Sequence, residues 1–117
     1  MKNKRESGSR GEELAVEYLQ KKGYRIIERN FYFEHGEIDI IAKDNGSLVF
    51  IEVKTRWSKR FGDPEESVTM WKRNLLRKTA EGYLFKHNIE DTDCRFDVIA
   101  IQYENTIPVI RHIEEAF

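Results

Sequence analysis

Asn45-Gly46, set between the β-rich runs Glu37 to Lys43 and Leu48 to Lys54, constrains this chain more than any other pair of residues. Both residues tolerate the positive φ of a type I′ turn, which makes Asn-Gly between alternating apolar runs the strongest short-range hairpin signal. If they form the two-residue loop, Asp44 faces Ser47 and the register follows. Ile41 then faces Phe50, Asp39 faces Glu52, and Glu37 faces Lys54. One face of this hairpin carries Ile38, Ile40, Ala42, Val49, Ile51 and Val53, all apolar, and is predicted to lie against a core. The other face is apolar near the turn and charged at its far end.

Residues directly opposite one another have Cβ atoms about 4.5–5.5 Å apart, so two carboxylates and an ammonium are expected to meet there. Like charges so placed are destabilising on their own, and a divalent cation is the usual remedy. Hydrolysis of a phosphodiester needs a metal at the phosphoryl oxygen, a positioned water and a cation for the developing charge. Asp39 and Glu52 supply carboxylates for Mg²⁺ or Mn²⁺, and the Val53 carbonyl could complete the shell. Lys54 points the same way as Glu52, since strands have a period of two, and is placed to orient the water.

The remaining elements follow from punctuation. Residues 1–8 read as a flexible basic segment and 9–117 as a single domain. Ser9-Arg10-Gly11-Glu12 has the form of a capping box before the stripe Leu14, Ala15, Tyr18 and Leu19, which ends at Gly23. Glu12 borders that stripe, so it either closes the capping box or looks inward. Tyr24 to Phe33 should pair with the hairpin through a turn at His35-Gly36. Asp63-Pro64-Glu65-Glu66 reads as the start of a helical turn. Thr69 opens a second long helix, on which Lys72 stands mid-stripe among Leu75, Leu76, Thr79, Ala80, Tyr83 and Leu84. Phe96 to Tyr103 is expected as an internal strand and Ile107 to Ile113, because of Pro108, as an edge strand. The order αβββαββ implies an α/β fold, a mixed β-sheet flanked by helices.

Composition excludes other classes. With 117 residues, 39% hydrophobic and 35% charged, the chain is an ordinary globular domain of net charge −1. No apolar run suits a membrane span, and the single cysteine excludes an internal disulfide and fits a cytoplasmic setting. Cys94 is expected to pack rather than attack. The charges are unevenly spread: Arg56, Lys59 and Arg60 follow the hairpin, and Lys72 and Arg73 lie on the next helix. Such clusters grip phosphates or are merely solvated, and Trp57 either stacks on an unpaired base or packs.

Several of these stretches together resemble a known family. G-x-x-G-E-x-x-A (Gly8, Gly11, Glu12, Ala15), Arg29-Asn30, Gly36 to Asp39, Phe50 to Arg56, Phe61-Gly62 and Arg95 to Val98 are similar to the motifs of the YraN-type family of small bacterial proteins. Asp39, with Glu52-x-Lys54 on the adjoining strand, resembles the wider PD-(D/E)xK nucleases. Ile38 stands where that name has proline, a residue without a part in the chemistry. The resemblance implies a restriction-endonuclease-like core, similar to that of Holliday junction resolvases. It further implies Asp39 and Glu52 as metal ligands, Lys54 as catalytic lysine, Glu12 as a further acid near the metal, and Glu37 and Thr55 in support. The function it implies is a metal-dependent endonuclease on DNA, branched or junction DNA included. A homodimer would supply two sites. The alternative is a non-catalytic nucleic-acid-binding module on a nuclease-like fold.

Overall fold

Five strands form one sheet in the computed structural model, and their spatial order repeats their order in the chain. The elements are α1 (Lys4–Lys21), β1 (Arg25–Phe33), β2 (Gly36–Asp44), β3 (Ser47–Arg56), α2 (Met70–Lys86), β4 (Cys94–Glu104) and β5 (Ile107–Ile113). The structure describes residues 4–57 and 68–117, with residues 4–9 as backbone alone. Lys59, Arg60 and the helical turn expected at Asp63 to Glu66 lie outside the described residues.

The hairpin forms as its turn demands. Asn45 and Gly46 both take positive φ, 57° and 137°, and β2 pairs antiparallel with β3 from Asp44 opposite Ser47 to Ile40 opposite Ile51. β1 adds on the other side of β2, antiparallel, with a bulge between Ile26 and Glu28. β4 runs parallel to β3 after the α2 crossover, and β5 closes the edge against β4. Pro108 thus sits on an edge strand, where its missing N–H costs least.

Each face of the sheet carries one helix. Ala15, Val16 and Leu19 of α1 pack on Ile40, Ala42, Val49, Ile51, Ile99 and Ile101. Leu76, Ala80 and Tyr83 of α2 pack on Phe31, Ile41, Leu48, Phe50 and Val98. The mixed sheet with a helix on either face is the α/β, restriction-endonuclease-like arrangement expected.

Three local expectations are corrected. α1 opens at Lys4, so Ser9 lies inside the helix instead of capping it. Ile38 joins the α2 side rather than sharing the α1 side with Ile40, so the two-residue alternation is broken between them. Cys94 is exposed, and its thiol, pushed up by burial and by Asp93, donates to the Thr92 carbonyl at 3.4 Å.

α2 opens as expected at Thr69, whose side chain accepts from the Lys72 N–H at 3.2 Å. It approaches β1 closely at Gly82, where a Cβ would come within 2.5–2.6 Å of the Phe33 ring. Gly82→Ala is therefore expected to destabilise the fold by about 1–3 kcal/mol despite alanine's better helix propensity. Urea unfolding of the two proteins gives the comparison.

Candidate active site

β2 and β3 part company at Asp39. Had the ladder continued, Asp39 would face Glu52 and Val53 would donate its N–H to the Ile38 carbonyl. Instead the Val53 N–H donates to Asp39 Oδ2 at 2.8 Å, and the ladder ends one step earlier at Ile40 opposite Ile51. The facing pairs Asp39 with Glu52 and Glu37 with Lys54 are thus replaced by a splayed end. β1 is irregular at the same level. Asn30 lies between the pairs Arg29 with Ile40 and Phe31 with Ile38, hence abreast of Asp39, and has φ 52°. Asparagine is among the few residues that visit this left-handed region at little cost.

The splayed end collects charge from four elements. Asp39 and Glu52 are 8% and 6% exposed, which is unusual for carboxylates and decisive for their chemistry. Glu52 Oε1 lies 3.5 Å from Lys54 Nζ and 4.0 Å from Lys72 Nζ. Its other oxygen, Oε2, is buried and has no hydrogen-bond partner among the described residues. Glu12, on α1, accepts from Asn30 Nδ2 at 2.9 Å. It therefore looks inward instead of closing a capping box.

Burial raises the Asp39 carboxyl, with the charges of Glu52, Glu12 and Glu37 adding to it and the Val53 N–H opposing. Burial also raises Glu52, against the pull of Lys72 and Lys54. Two buried acids pushed toward their protonated forms, one with an orphaned oxygen, suit a hard divalent cation with oxygen ligands. Asp39 and Glu52 are the residues that would hold it. Val53, the third candidate ligand, is anchored through its N–H.

The other predicted site residues are distributed around this centre. Glu37 is half-buried and close enough to raise both acids. Thr55 Oγ1 is buried against Gly11, where no Cβ would fit, and has no hydrogen-bond partner among the described residues. Arg56 donates to the Thr55 carbonyl at 3.2 Å. Trp57 stacks on Tyr103. Arg73 is turned away to other work: its Nε donates to the Val68 carbonyl at 3.0 Å, and its guanidinium lies 5.4 Å over the Phe117 ring.

Asn30 escaped the reading of single residues as a site member. The signal for it was its place beside Arg29 in a β-rich run, where an asparagine is out of character.

Among the described residues, the one group of three potential metal donors with ligand atoms within 4.8 Å of one another is not at this centre; it is Asp97, His112 and Glu114. Cations already saturate it. Arg95 donates to both Asp97 oxygens, at 3.0 and 3.1 Å, and lies 3.6 Å from Glu114 Oε1. Lys22 Nζ is 2.9 Å from His112 Nδ1. An ammonium only donates, so His112 Nδ1 accepts and Nε2 carries the proton given to Asp97 at 2.7 Å. Burial works to raise Asp97, but His112, Arg95 and the Glu115 N–H outweigh it and hold the carboxyl below its usual range. This is a structural lock, opposite in character to the orphaned Glu52.

Fold and centre together define a restriction-endonuclease-like α/β domain with a buried acidic centre flanked by lysines. The chain belongs to the family described as Uncharacterised protein family UPF0102, whose model matches residues 11–101, in keeping with the YraN-type motifs. UPF0102 proteins of Geobacter metallireducens and Persephonella marina are 47% and 49% identical to it, covering 94% of this chain and 90% and 91% of theirs. That of Caldicellulosiruptor saccharolyticus is 45% identical over 98% of this chain and 99% of its own. Among the described residues no helix is long and apolar enough to cross a membrane.

A raised carboxyl keeps its proton in the folded state where the unfolded chain has already lost it. Its contribution to stability is greatest below the ordinary carboxylate range and is lost as pH rises toward the raised value. In chelator, the protein should therefore lose stability from about pH 4 toward neutrality, by about 1.4 kcal/mol per unit of displacement. Asp39→Asn keeps an oxygen for the Val53 N–H and should flatten that slope. Urea midpoints across pH for both proteins give the measurement, and parallel slopes would refute this account of Asp39.

Proposed function

We propose that this protein is a magnesium- or manganese-dependent endonuclease that hydrolyses DNA phosphodiester bonds in the cytoplasm, junction and other branched forms included. The observation that carries the reading is the state of Glu52: buried, with two ammoniums at one oxygen and, among the described residues, no hydrogen-bond partner at the other. A structural ion pair satisfies its partners, as Asp97 does. A ligand site leaves an oxygen over.

Asp39 is held in place by the Val53 N–H, so its orientation does not depend on the cation it would bind. Glu52 reaches the same centre from β3, and Glu12, steadied by Asn30, approaches from α1. The cation, when bound, polarises a phosphoryl oxygen and lowers the pKa of its water. Lys54, on the strand that carries Glu52, orients the attacking water and offsets its charge. Lys72 faces the same carboxylate from α2 and offers a second cation for the phosphate as negative charge develops. Arg56 supplies a contact to the backbone on the exposed side. Cutting both strands of a duplex or junction calls for two such centres, which a C2 homodimer would provide.

Incubation with four-way-junction, flap, single-stranded and duplex DNA, in Mg²⁺ or Mn²⁺ and in chelator, tests the reading. Cleavage should require the metal, and Asp39→Ala and Lys54→Ala should each lower its rate by about 100-fold or more. Salt-sensitive binding with no cleavage under any of these conditions would overturn the enzymatic reading in favour of a binding module.

A further inference from the structure

Trp57 stands just beyond the end of β3, directly after Arg56. Its indole stacks on the Tyr103 ring with centroids 4.0 Å apart and planes 12° from parallel. The pairing of Arg56 with Gln102 in the parallel β3–β4 ladder brings the two rings side by side. Most aromatic contacts in the core are of another kind, such as Phe31 with Tyr83 at 87°. One face of the indole is covered by tyrosine, yet Trp57 remains 53% exposed. A large, flat apolar surface is thereby held in place by its stacking partner and left open to solvent.

The location ties this surface to the acidic centre. Strand alternation puts Thr55 and Trp57 on the α1 side of the sheet, and Thr55 rests against Gly11, the neighbour of Glu12. At about 3.3 Å per residue, Trp57 lies about 10 Å along β3 from Lys54, which points to the α2 side, so a strand that meets both passes around the splayed end of the sheet. Arg56, adjacent to the indole, and the exposed Arg10, adjacent to Gly11, supply positive charge on the way.

We infer that the Trp57–Tyr103 pair is a preformed stacking platform for an unpaired base of the nucleic acid that the acidic centre acts on. The inference rests on the nucleic-acid reading above and narrows its substrate class. A base inside a duplex has both faces covered by its neighbours, so only a single-stranded, flapped or junction-exposed base can lie on the indole. The platform selects for strand opening, whatever the sequence, because every base offers a π face.

The chain has two tryptophans, and Trp71→Phe leaves Trp57 as the only indole reporter. This protein, kept in chelator so that no strand is cut, is titrated with an oligothymidylate, an abasic strand of the same length, and a blunt duplex. The oligothymidylate should quench Trp57 emission and bind about tenfold more tightly than the abasic strand. Affinities of the otherwise unaltered protein and of Trp57→Leu and Trp57→Phe are then read by anisotropy of labelled strands. Trp57→Leu should bring oligothymidylate binding down to the abasic level and leave abasic binding unchanged, and Trp57→Phe should recover part of the loss. Equal affinity and equal quenching for the thymidylate and abasic strands would overturn the platform and leave the nuclease reading intact. Stronger quenching by the blunt duplex would do the same. Absence of salt-sensitive binding to all three would overturn both.

Discussion

The hydrogen bond from the Val53 N–H to the Asp39 carboxylate governs the working end of this molecule. A side chain takes the place of a backbone carbonyl, and the strands on either side can no longer run in register. β2 leaves β3 after Ile40, Asn30 of β1 turns into the left-handed region, and Ile38 crosses to the opposite core from Ile40. The result is an opening at the sheet's end into which α1 sends Glu12 and α2 sends Lys72. Two carboxylates are buried there at considerable electrostatic cost. The apolar faces on both sides of the sheet, with Ile40, Ile41, Val49, Phe50, Ile51 and Ile99 almost wholly buried, supply the stability that such a centre subtracts.

Two buried acids in one small protein make an instructive contrast. Asp97 is fully enclosed and fully satisfied, receiving hydrogen bonds from Arg95, His112 and the Glu115 N–H, and burial fails to raise it. Glu52 is nearly as enclosed, but one of its oxygens is unmet, and burial prevails. Burial alone does not separate a structural carboxylate from a ligand. The partner count at each oxygen is the better guide, because the large majority of buried side-chain polar atoms in native proteins have a hydrogen-bond partner.

Much of the fold was legible because it was written in local patterns. Asn45-Gly46 set the hairpin register down to Ile41 opposite Phe50, Pro108 marked an edge strand, Thr69 marked the start of α2, and alternating apolar residues marked the core faces. That Asp39, Glu52 and Lys54 fall at the same end of the hairpin followed from that register, although their facing pairs give way to a splayed end. What escaped depended on side chains reaching across elements. No periodicity reveals that Asp39 takes the Val53 N–H, that Asn30 holds Glu12, or that Arg95 joins Asp44, Tyr24, Asp97 and Glu114 across three parts of the chain. The beginning of α1 was also misjudged, since Ser9 and Glu12 have the form of a cap. The helix continues through them to Lys4, and Glu12 is engaged with Asn30.

A sheet whose strands lie in chain order has an unequal distribution of loop lengths. β1, β2 and β3 meet through tight turns, and β4 meets β5 across Asn105 and Thr106, both at positive φ. Only the parallel pairing of β3 with β4 joins distant segments, because all of α2 must be laid over the sheet between them. Loop-closure entropy within the sheet therefore falls mainly on a single seam, between an N-terminal meander and a C-terminal hairpin. The Arg95 hub spans it, linking β4 to Asp44 at the β2–β3 turn and to Tyr24 before β1. A part-buried polar cluster thus bonds the two halves of the chain to one another across the one seam that their turns do not close.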